Sequence, residues 1–175
     1  MKPHVRLFLA GALIAAATLL ITQPASANAV PDAIAVPKGH ELYMEAHADG
    51  VQIYSCNGQA WTLSGPHASL YDRRGRQIGT HYAGPTWQTK DGSKVAGARV
   101  SGVNVDPTAI DWLLLSATST TPGQLGKTTY IQRVNTTGGL VPPAADCHAG
   151  TAGSVQEVAY TADYRFFKAR HRCKD

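Results

Sequence analysis

The stretch His40–Cys56, HELYMEAHADGVQIYSC, sets the pattern that recurs along the chain. Its first half alternates side chains as an extended strand does, with Leu42, Met44 and Ala46 on one face and Glu41, Tyr43, Glu45 and His47 on the other. The dipeptide Asp49-Gly50, typical of tight hairpin turns, separates this half from a second strand-like segment, residues 51–56. The stretch therefore predicts a β-hairpin.

Similar segments follow, at 61–63, 69–71, 77–82, 87–89, 94–103, 110–117, 128–134 and 155–167. Turn signals lie between them at residues 72–76 and at Asp91-Gly92, and no segment has the periodicity of an amphipathic helix. In the last segment Tyr160, Ala162, Tyr164 and Phe166 share one face. About ten short strands predict a single-domain, all-β fold, an antiparallel β-sandwich or barrel, and the pattern does not choose between the two.

The first 27 residues have the organisation of a secretion signal peptide. Lys2 and Arg6 precede an uncharged run, residues 7–21, and Ala25-Ser26-Ala27 is a small-x-small cleavage site. The run is shorter than the roughly 20 residues that a membrane-spanning helix needs, and no second such run follows. The sequence predicts an extracellular protein, or a periplasmic one in a host with an outer membrane, without a transmembrane segment.

The remaining chain divides into an extended leader, residues 28–39, a β domain, residues 40–167, and a basic C-terminal tail, residues 168–175. Of the 175 residues, 148 would remain after cleavage, which suits one domain. Lys2 and Arg6 would leave with the signal, so that 14 basic and 12 acidic side chains remain, a net charge of +2. Without a basic run inside the domain, no nucleic-acid partner is expected.

Three cysteines remain in what would be an oxidising compartment, where pairing is favoured. Cys56 ends a predicted strand and Cys147 lies in a loop, whereas Cys173 is close to the C-terminus, where chains are usually poorly ordered. We therefore predict a disulfide between Cys56 and Cys147, with a stabilising role.

Motifs with a known mechanism are absent. The chain has no G-x-G-x-x-G, P-loop, H-E-x-x-H, G-x-S-x-G or C-x-x-C sequence. This argues against nicotinamide oxidoreductases, nucleotide hydrolases, the common zinc proteases and typical lipases. No cofactor is predicted, and no residue is assigned as catalytic.

The densest group of candidate ligand-binding residues lies at 81–95, HYAGPTWQTKDGSKV, and comprises His81, Tyr82, Trp87, Asp91 and Ser93. In one interpretation Trp87 offers a flat apolar face for stacking while the polar side chains orient a ligand, as in shallow sugar sites. In the other interpretation Trp87 belongs to the core and Asp91-Gly92 closes a hairpin.

Two further sets of polar residues are candidates for a site. Asp163, among the aromatic residues of the last strand, would have a raised pKa if it were buried, as general acids often do. Glu45 and His47 share a predicted strand face and are weak candidates for metal ligands, although a polar outer face explains them equally well.

Taken together, five ordered motifs are similar to the signatures of one family. They are GVQIYSC at 50–56, HYAGPTWQTKDGSKV at 81–95, WLL at 112–114, IQRVNTTGG at 131–139 and YTADYRF at 160–166. The chain resembles, from about Val36 to Phe167, a secreted domain of unknown function found in bacteria and fungi. Some fungal members carry a malate dehydrogenase label, which the absence of a glycine-rich dinucleotide turn contradicts here.

The sequence thus predicts a secreted, non-catalytic binding module for a polysaccharide or other extracellular matrix or cell-wall component, contacted around His81 and Trp87. An extracellular hydrolase or metal-dependent enzyme that uses His81, Asp91 and Asp163, or Glu45 and His47, is the first alternative. A structural or protein-interaction domain is the second.

Overall fold

The computed structural model describes residues 29–170, and in them eight antiparallel strands close into one barrel. The strands are β1 His40–Cys56, β2 Trp61–Tyr71, β3 Gln77–Tyr82, β4 Thr86–Thr89, β5 Lys94–Val103, β6 Trp112–Thr120, β7 Thr128–Gly138 and β8 Val155–Ala169. Each strand pairs with the next along the chain, and β1 pairs with β8 to close the sheet. The all-β, antiparallel prediction is confirmed, and of its two architectures the barrel is the one formed.

Strand β1 crosses the position at which a hairpin turn was predicted, and that prediction was wrong. Asp49 pairs with Ser69 of β2 and with Thr161 of β8, so the backbone continues in extended form through Gly50. Glycine is needed there because a Cβ on Gly50 would lie 2.2 Å from the carbonyl oxygen of His67. The glycine serves a close approach between strands rather than a turn.

Two pairs of predicted segments each form one continuous strand, and this sets the number of strands. Residues 40–47 and 51–56 form one strand, and residues 61–63 and 69–71 are parts of the continuous strand β2. The ten predicted segments therefore make eight strands. The hairpins at residues 72–76 and at Asp91-Gly92 are confirmed, since they connect β2 to β3 and β4 to β5.

A register shift in β1 also changes the predicted faces of this strand. The pairing with β8 is irregular between Leu42 and Met44, and both Tyr43 and Met44 contact the core while Leu42 is 44% exposed. Beyond this bulge, Ala46 points inward and His47 is exposed, as alternation predicts.

The interior of the barrel is filled by aromatic side chains opposite small ones. Tyr160, Ala162, Tyr164 and Phe166 of β8 are all buried, which confirms that they share the inward face. Buried alanines on the neighbouring strands, Ala46, Ala48 and Ala68, leave room for these rings and for Trp87. The core is thus an interdigitated packing of large and small residues.

A second apolar cluster lies outside the barrel, under the leader. Ile34, in the short 3-10 turn Asp32–Ile34, is fully buried against Trp112, Leu114 and Val134. The Gln132 side chain donates a 2.7 Å hydrogen bond to the carbonyl oxygen of Ile34. The leader therefore covers the outer faces of β6 and β7.

The predicted disulfide is confirmed: Cys56 and Cys147 are bonded, with an S–S distance of 2.01 Å. The bond joins the end of β1 to the long connection between β7 and β8, and it is consistent with an oxidising, extracellular compartment. The predicted signal peptide and Cys173 lie outside the described residues. Within residues 29–170, no helix is long and apolar enough to cross a membrane.

Candidate functional site

A cavity of about 390 Å³ opens at the end of the barrel that carries the turn between β3 and β4. We call it the barrel cleft. Its wall consists of Gln52, residues 63–66, His81, Gly84, Pro85, Trp87, Arg99, Leu113, Leu115, Arg133 and Tyr164. Apolar side chains from β2 and β6 and polar side chains from β1, β3, β5, β7 and β8 thus surround a space of the size that small ligands occupy.

His81 lies deep in the cleft because the alternation of β3 directs it inward. It is 3% exposed, and since a carbonyl oxygen can only accept, its Nδ1–H donates the 2.9 Å hydrogen bond to the backbone oxygen of Thr86. Burial lowers the pKa of His81 to about 3, which outweighs the opposing effect of the Thr86 carbonyl. His81 is therefore neutral at physiological pH and carries its proton on Nδ1.

Trp87 is a core residue and has no exposed face for stacking. It is 1% exposed, its indole ring stacks on the His81 ring with centroids 4.3 Å apart, and Tyr164 contacts it edge-on at 5.1 Å. The interpretation of Trp87 as a flat surface platform does not hold. Its indole Nε1–H, however, is buried and has no hydrogen-bond partner among residues 29–170.

Two tyrosine hydroxyls of β8 share this condition. The hydroxyl groups of Tyr160 and Tyr164 are buried, and neither has a hydrogen-bond partner in the described part of the chain. Burial raises the pKa of both tyrosines, although the nearby charge of Arg133 opposes the rise. Both rings therefore remain protonated and hold unused hydrogen-bonding capacity beside the cleft.

Arg133 supplies the positive charge of the inner wall. On β7 it stands opposite Leu113 of β6 and Tyr164 of β8, and it is only partly exposed. Its Nε–H donates a 3.0 Å hydrogen bond to the carbonyl oxygen of Asp111, whose carboxylate forms an ion pair with Arg99 at 3.2 Å. Asp111 thus holds both arginines of the cleft.

Asp91 and Ser93 lie at the other end of the barrel. The turns before and after β4 fall at opposite ends because neighbouring strands run antiparallel. The Asp91 carboxylate accepts hydrogen bonds from the Thr89 hydroxyl at 2.7 Å and from the Gln124 amide at 2.8 Å. These bonds hold the pKa of Asp91 well below its usual range and fasten the turn to the loop between β6 and β7.

Tyr82 and Asp163 face outward. The Tyr82 hydroxyl donates to the side chain of Gln88 at 3.1 Å. Asp163 accepts 2.8 Å hydrogen bonds from the side chain of Asn135 and from His47 Nδ1, and 37% of its side chain is exposed. The burial on which a general-acid role depended is not found.

The weak metal candidates are bonded to other partners. Glu45 forms ion pairs with Arg73 and Arg165, and His47 pairs with Asp163. Between residues 29 and 170, no three side chains of His, Cys, Asp or Glu gather in a way that would hold a metal ion. Of the six predicted ligand-binding residues, the cleft brings together only His81 and Trp87.

Arg133, Arg99 and Tyr164 were missed as site residues. The signal for Arg133 is present in the sequence: it lies two residues after the buried Ile131, so strand alternation places a charged side chain on an inward face. An arginine at such a position is unusual for a core and typical of a functional interior.

The fold and the cleft show the class of this protein: it is an all-β domain, an eight-stranded antiparallel barrel with a partly polar cleft at one end. Residues 37–168 match the family described as "Protein of unknown function (DUF3455)", and the chain belongs to this family. The resemblance drawn from the sequence motifs is thereby confirmed at the level of an uncharacterised family. No curated protein and no solved structure matches the chain.

Proposed function

We propose that this protein is a non-catalytic binding module that acts outside the cytoplasm and takes a small ligand into the barrel cleft. The observation that carries the proposal is a pair of buried polar atoms on residues that line the cleft, Trp87 Nε1 and the Tyr164 hydroxyl oxygen, which have no hydrogen-bond partner within residues 29–170. Each unpaired buried group costs roughly 1–3 kcal/mol. A ligand that pairs with them recovers part of that free energy on binding.

The shape and the walls of the cleft support a small ligand rather than a polymer surface. Its volume of about 390 Å³ is near the lower end of the range for small-molecule sites. A depression of about 540 Å³ at the opposite end, beside the hairpin of residues 72–76, is more open to solvent. There, Glu45 is already paired with Arg73, and Asp72 with Arg76.

The absence of acidic groups from the wall supports binding over catalysis. None of the residues between 29 and 170 that line the cleft is Asp or Glu, and His81 is neutral and donates its Nδ1–H to the Thr86 carbonyl oxygen. General acid–base chemistry requires a group that titrates near the working pH. The hydrolase alternative needs three residues to act together, but these lie in three different parts of the barrel: His81, Asp91 and Asp163.

The predicted polysaccharide ligand loses its main support with the burial of Trp87. What remains of that prediction is a ligand small enough to enter the cleft, of which a glycan end group is one example. The export route remains part of the proposal, supported by the disulfide.

The test is to plug the cleft and measure binding of N-phenyl-1-naphthylamine, a neutral apolar probe that fluoresces when it leaves water. Ser64 lies on the rim and is exposed, so Ser64→Trp adds a large side chain beside the opening. The matched control is Thr118→Trp, at an exposed position of β6 that does not line the cleft. We expect the plug to raise Kd by about tenfold or more, equivalent to ~1.4 kcal/mol, and the control to bind as the wild type does.

Two results would refute this function. One is a wild-type protein that does not bind the probe at all, and the other is equal binding by the plugged and control variants. Retention assays on insoluble glycans belong in the same series: firm retention that Ser64→Trp leaves intact would return the ligand site to the outer surface.

A further inference from the structure

Of the two arginines that line the cleft, Arg133 has no ion-pair partner among residues 29–170. The ion pairs of the described residues involve Arg73, Arg76, Arg99, Arg165 and Lys168, but none involves Arg133. Asp111 offers Arg133 only its backbone carbonyl oxygen, at Nε. An unpaired charge that is partly withdrawn from water is costly, so Arg133 is a cation available to an anionic ligand.

The titratable groups around Arg133 do not supply the missing charge. The charge of Arg133 lowers the pKa of Tyr54, Tyr160 and Tyr164. Burial raises these three pKa values by more, so the hydroxyl groups stay protonated. His81 is neutral, and its only other charge state is positive. The wall therefore remains cationic over the physiological pH range.

The unused polar atoms beside Arg133 are suited to donate hydrogen bonds. A guanidinium and an indole N–H can only donate, and a tyrosine hydroxyl donates readily to a charged oxygen. By distance and angle, no nitrogen of the Arg133 guanidinium other than Nε forms a hydrogen bond within residues 29–170, and Trp87 Nε1 and the Tyr164 hydroxyl are likewise unpaired. The guanidinium nevertheless lies close enough to the Tyr164 hydroxyl to lower its pKa, so these two groups face the same space. These donors would match a group that carries several acceptor oxygens and a negative charge.

Apolar side chains lie beside Arg133 in the same cleft. Leu113 and Leu115 of β6 line the cleft, with Pro66 and Pro85 nearer its rim, and Leu63 is 53% exposed beside them. An inorganic anion would leave this surface facing water. A ligand with an apolar body would cover it and gain the corresponding hydrophobic free energy.

We propose that the ligand of the barrel cleft is a small amphipathic organic oxyanion, with its carboxylate or sulfonate group against Arg133 and its apolar body against Leu113 and Leu115. This inference rests on the proposed function, since it names the ligand class of the same cleft. Arg133 is the residue that selects the anion, and Asp111 is a positioning residue that fixes the Arg133 side chain through Nε.

The test compares two probes that share one apolar body. 1-Anilinonaphthalene-8-sulfonate carries a sulfonate, whereas N-phenyl-1-naphthylamine lacks it. On the full chain we expect the sulfonate to bind more tightly, and we expect Arg133→Met to weaken it by about ten- to a hundredfold while the neutral probe changes little. Arg74→Met is the matched control, because it removes the same charge from the exposed hairpin at residues 72–76.

A second variant at Arg133 controls for misfolding and tests the role of the planar guanidinium. Arg133→Lys keeps the charge but loses the planar fork, so it should show an intermediate affinity for the sulfonate. If Arg133→Met does not give the wild-type circular dichroism spectrum, the ratio of the two probes' affinities in Arg133→Lys decides the question. An unchanged ratio there would overturn the inference.

The possible outcomes separate the two proposals. Equal affinity for both probes, with no effect of Arg133→Met, overturns the anion class but leaves the cleft as a binding site. A loss of sulfonate binding in Arg74→Met alone moves anion binding to the hairpin and overturns the inference. Displacement of the sulfonate by decanoate indicates an acyl-chain ligand and displacement by benzoate an aromatic acid, whereas displacement by neither overturns the inference.

Discussion

Replacing His81 should change how the stability of the barrel depends on pH. In the folded protein His81 is neutral, with a pKa lowered to about 3 by burial, whereas in the unfolded chain it would titrate near the ordinary histidine value of 6.5. Between these two values the unfolded state binds a proton that the folded state does not. The free energy of unfolding must therefore fall as the pH is lowered through this range.

The size of the effect follows from the width of this range. Each pH unit below about 6.5 should cost the wild type up to ~1.4 kcal/mol, so that acidification to about pH 4.5 costs ~2.5 kcal/mol through this one residue. Carboxylates that the fold keeps ionised, such as Asp91, also make the free energy of unfolding fall at low pH, because they become protonated there. The contribution of His81 must therefore be isolated by a difference.

The variant His81→Asn provides that difference. Asparagine does not titrate, and its side-chain amide can replace Nδ1–H as the donor to the Thr86 carbonyl. The smaller side chain lowers stability by an amount that does not depend on pH, because it acts through packing beside Trp87.

The assay is urea unfolding followed by tryptophan fluorescence at a series of pH values. We expect the free energies of wild type and His81→Asn to converge as the pH falls, by ~2.5 kcal/mol at about pH 4.5. His67→Asn, which removes an exposed histidine, is the control. Parallel wild-type and His81→Asn curves would show that His81 accepts a proton in the folded barrel, and the account of a buried neutral histidine would fail.

Three further predictions concern the fold, each measured by urea unfolding. Replacing Cys56 and Cys147 together by serine should cost about 4–5 kcal/mol, because the disulfide closes a loop with a sequence separation of 91 residues; a loss below ~1 kcal/mol would contradict this. Gly50→Ala should cost about 3 kcal/mol or more, since its Cβ meets the β2 backbone. Gly75→Ala should cost only about 1 kcal/mol, because the space around Gly75 is open and only its φ of +73° opposes a side chain. Equal costs would refute the close approach of β2 to Gly50. Ile34→Ala should cost about 2–5 kcal/mol and shift Trp112 emission to longer wavelength, and no change in either would mean that the leader does not pack on the barrel.

The parts of the fold that could be predicted depend on local pattern. The inward face of β8, Tyr160 to Phe166, follows from alternation within one strand, and the hairpin at Asp91-Gly92 follows from a dipeptide that tolerates the backbone of a tight turn. Disulfide pairing could be predicted because three cysteines leave few choices.

The parts that could not be predicted depend on distant residues. Asp49-Gly50 has the same local chemistry as a true turn, and only the approach of His67 and Ala68 from β2 requires a glycine within an extended strand. Closure of the barrel is decided by the pairing of β1 with β8, across more than a hundred residues of sequence. Neither feature has a local signature.

Only two of the six predicted site residues lie in the cleft, for a related reason. His81 and Trp87 lie close together in the sequence, so the cluster of polar and aromatic residues at 81–95 already predicts them as neighbours. Asp91 and Ser93 are equally close in sequence, yet the reversal of the chain at β4 carries them to the opposite end. Arg133 comes from a strand far along the chain and reaches the cleft only through the pairing of β7 with β6 and β8.

The central claim is that a ligand enters the cleft between Arg133 and the leucines of β6. The most direct measurement is a ¹H–¹⁵N correlation NMR titration of the full chain with 1-anilinonaphthalene-8-sulfonate. The account predicts that the indole N–H of Trp87 shifts downfield as it gains an acceptor, and that the largest backbone changes lie at Arg133 and Tyr164. Changes confined to the hairpin at residues 72–76, with the Trp87 indole signal unmoved, would contradict it.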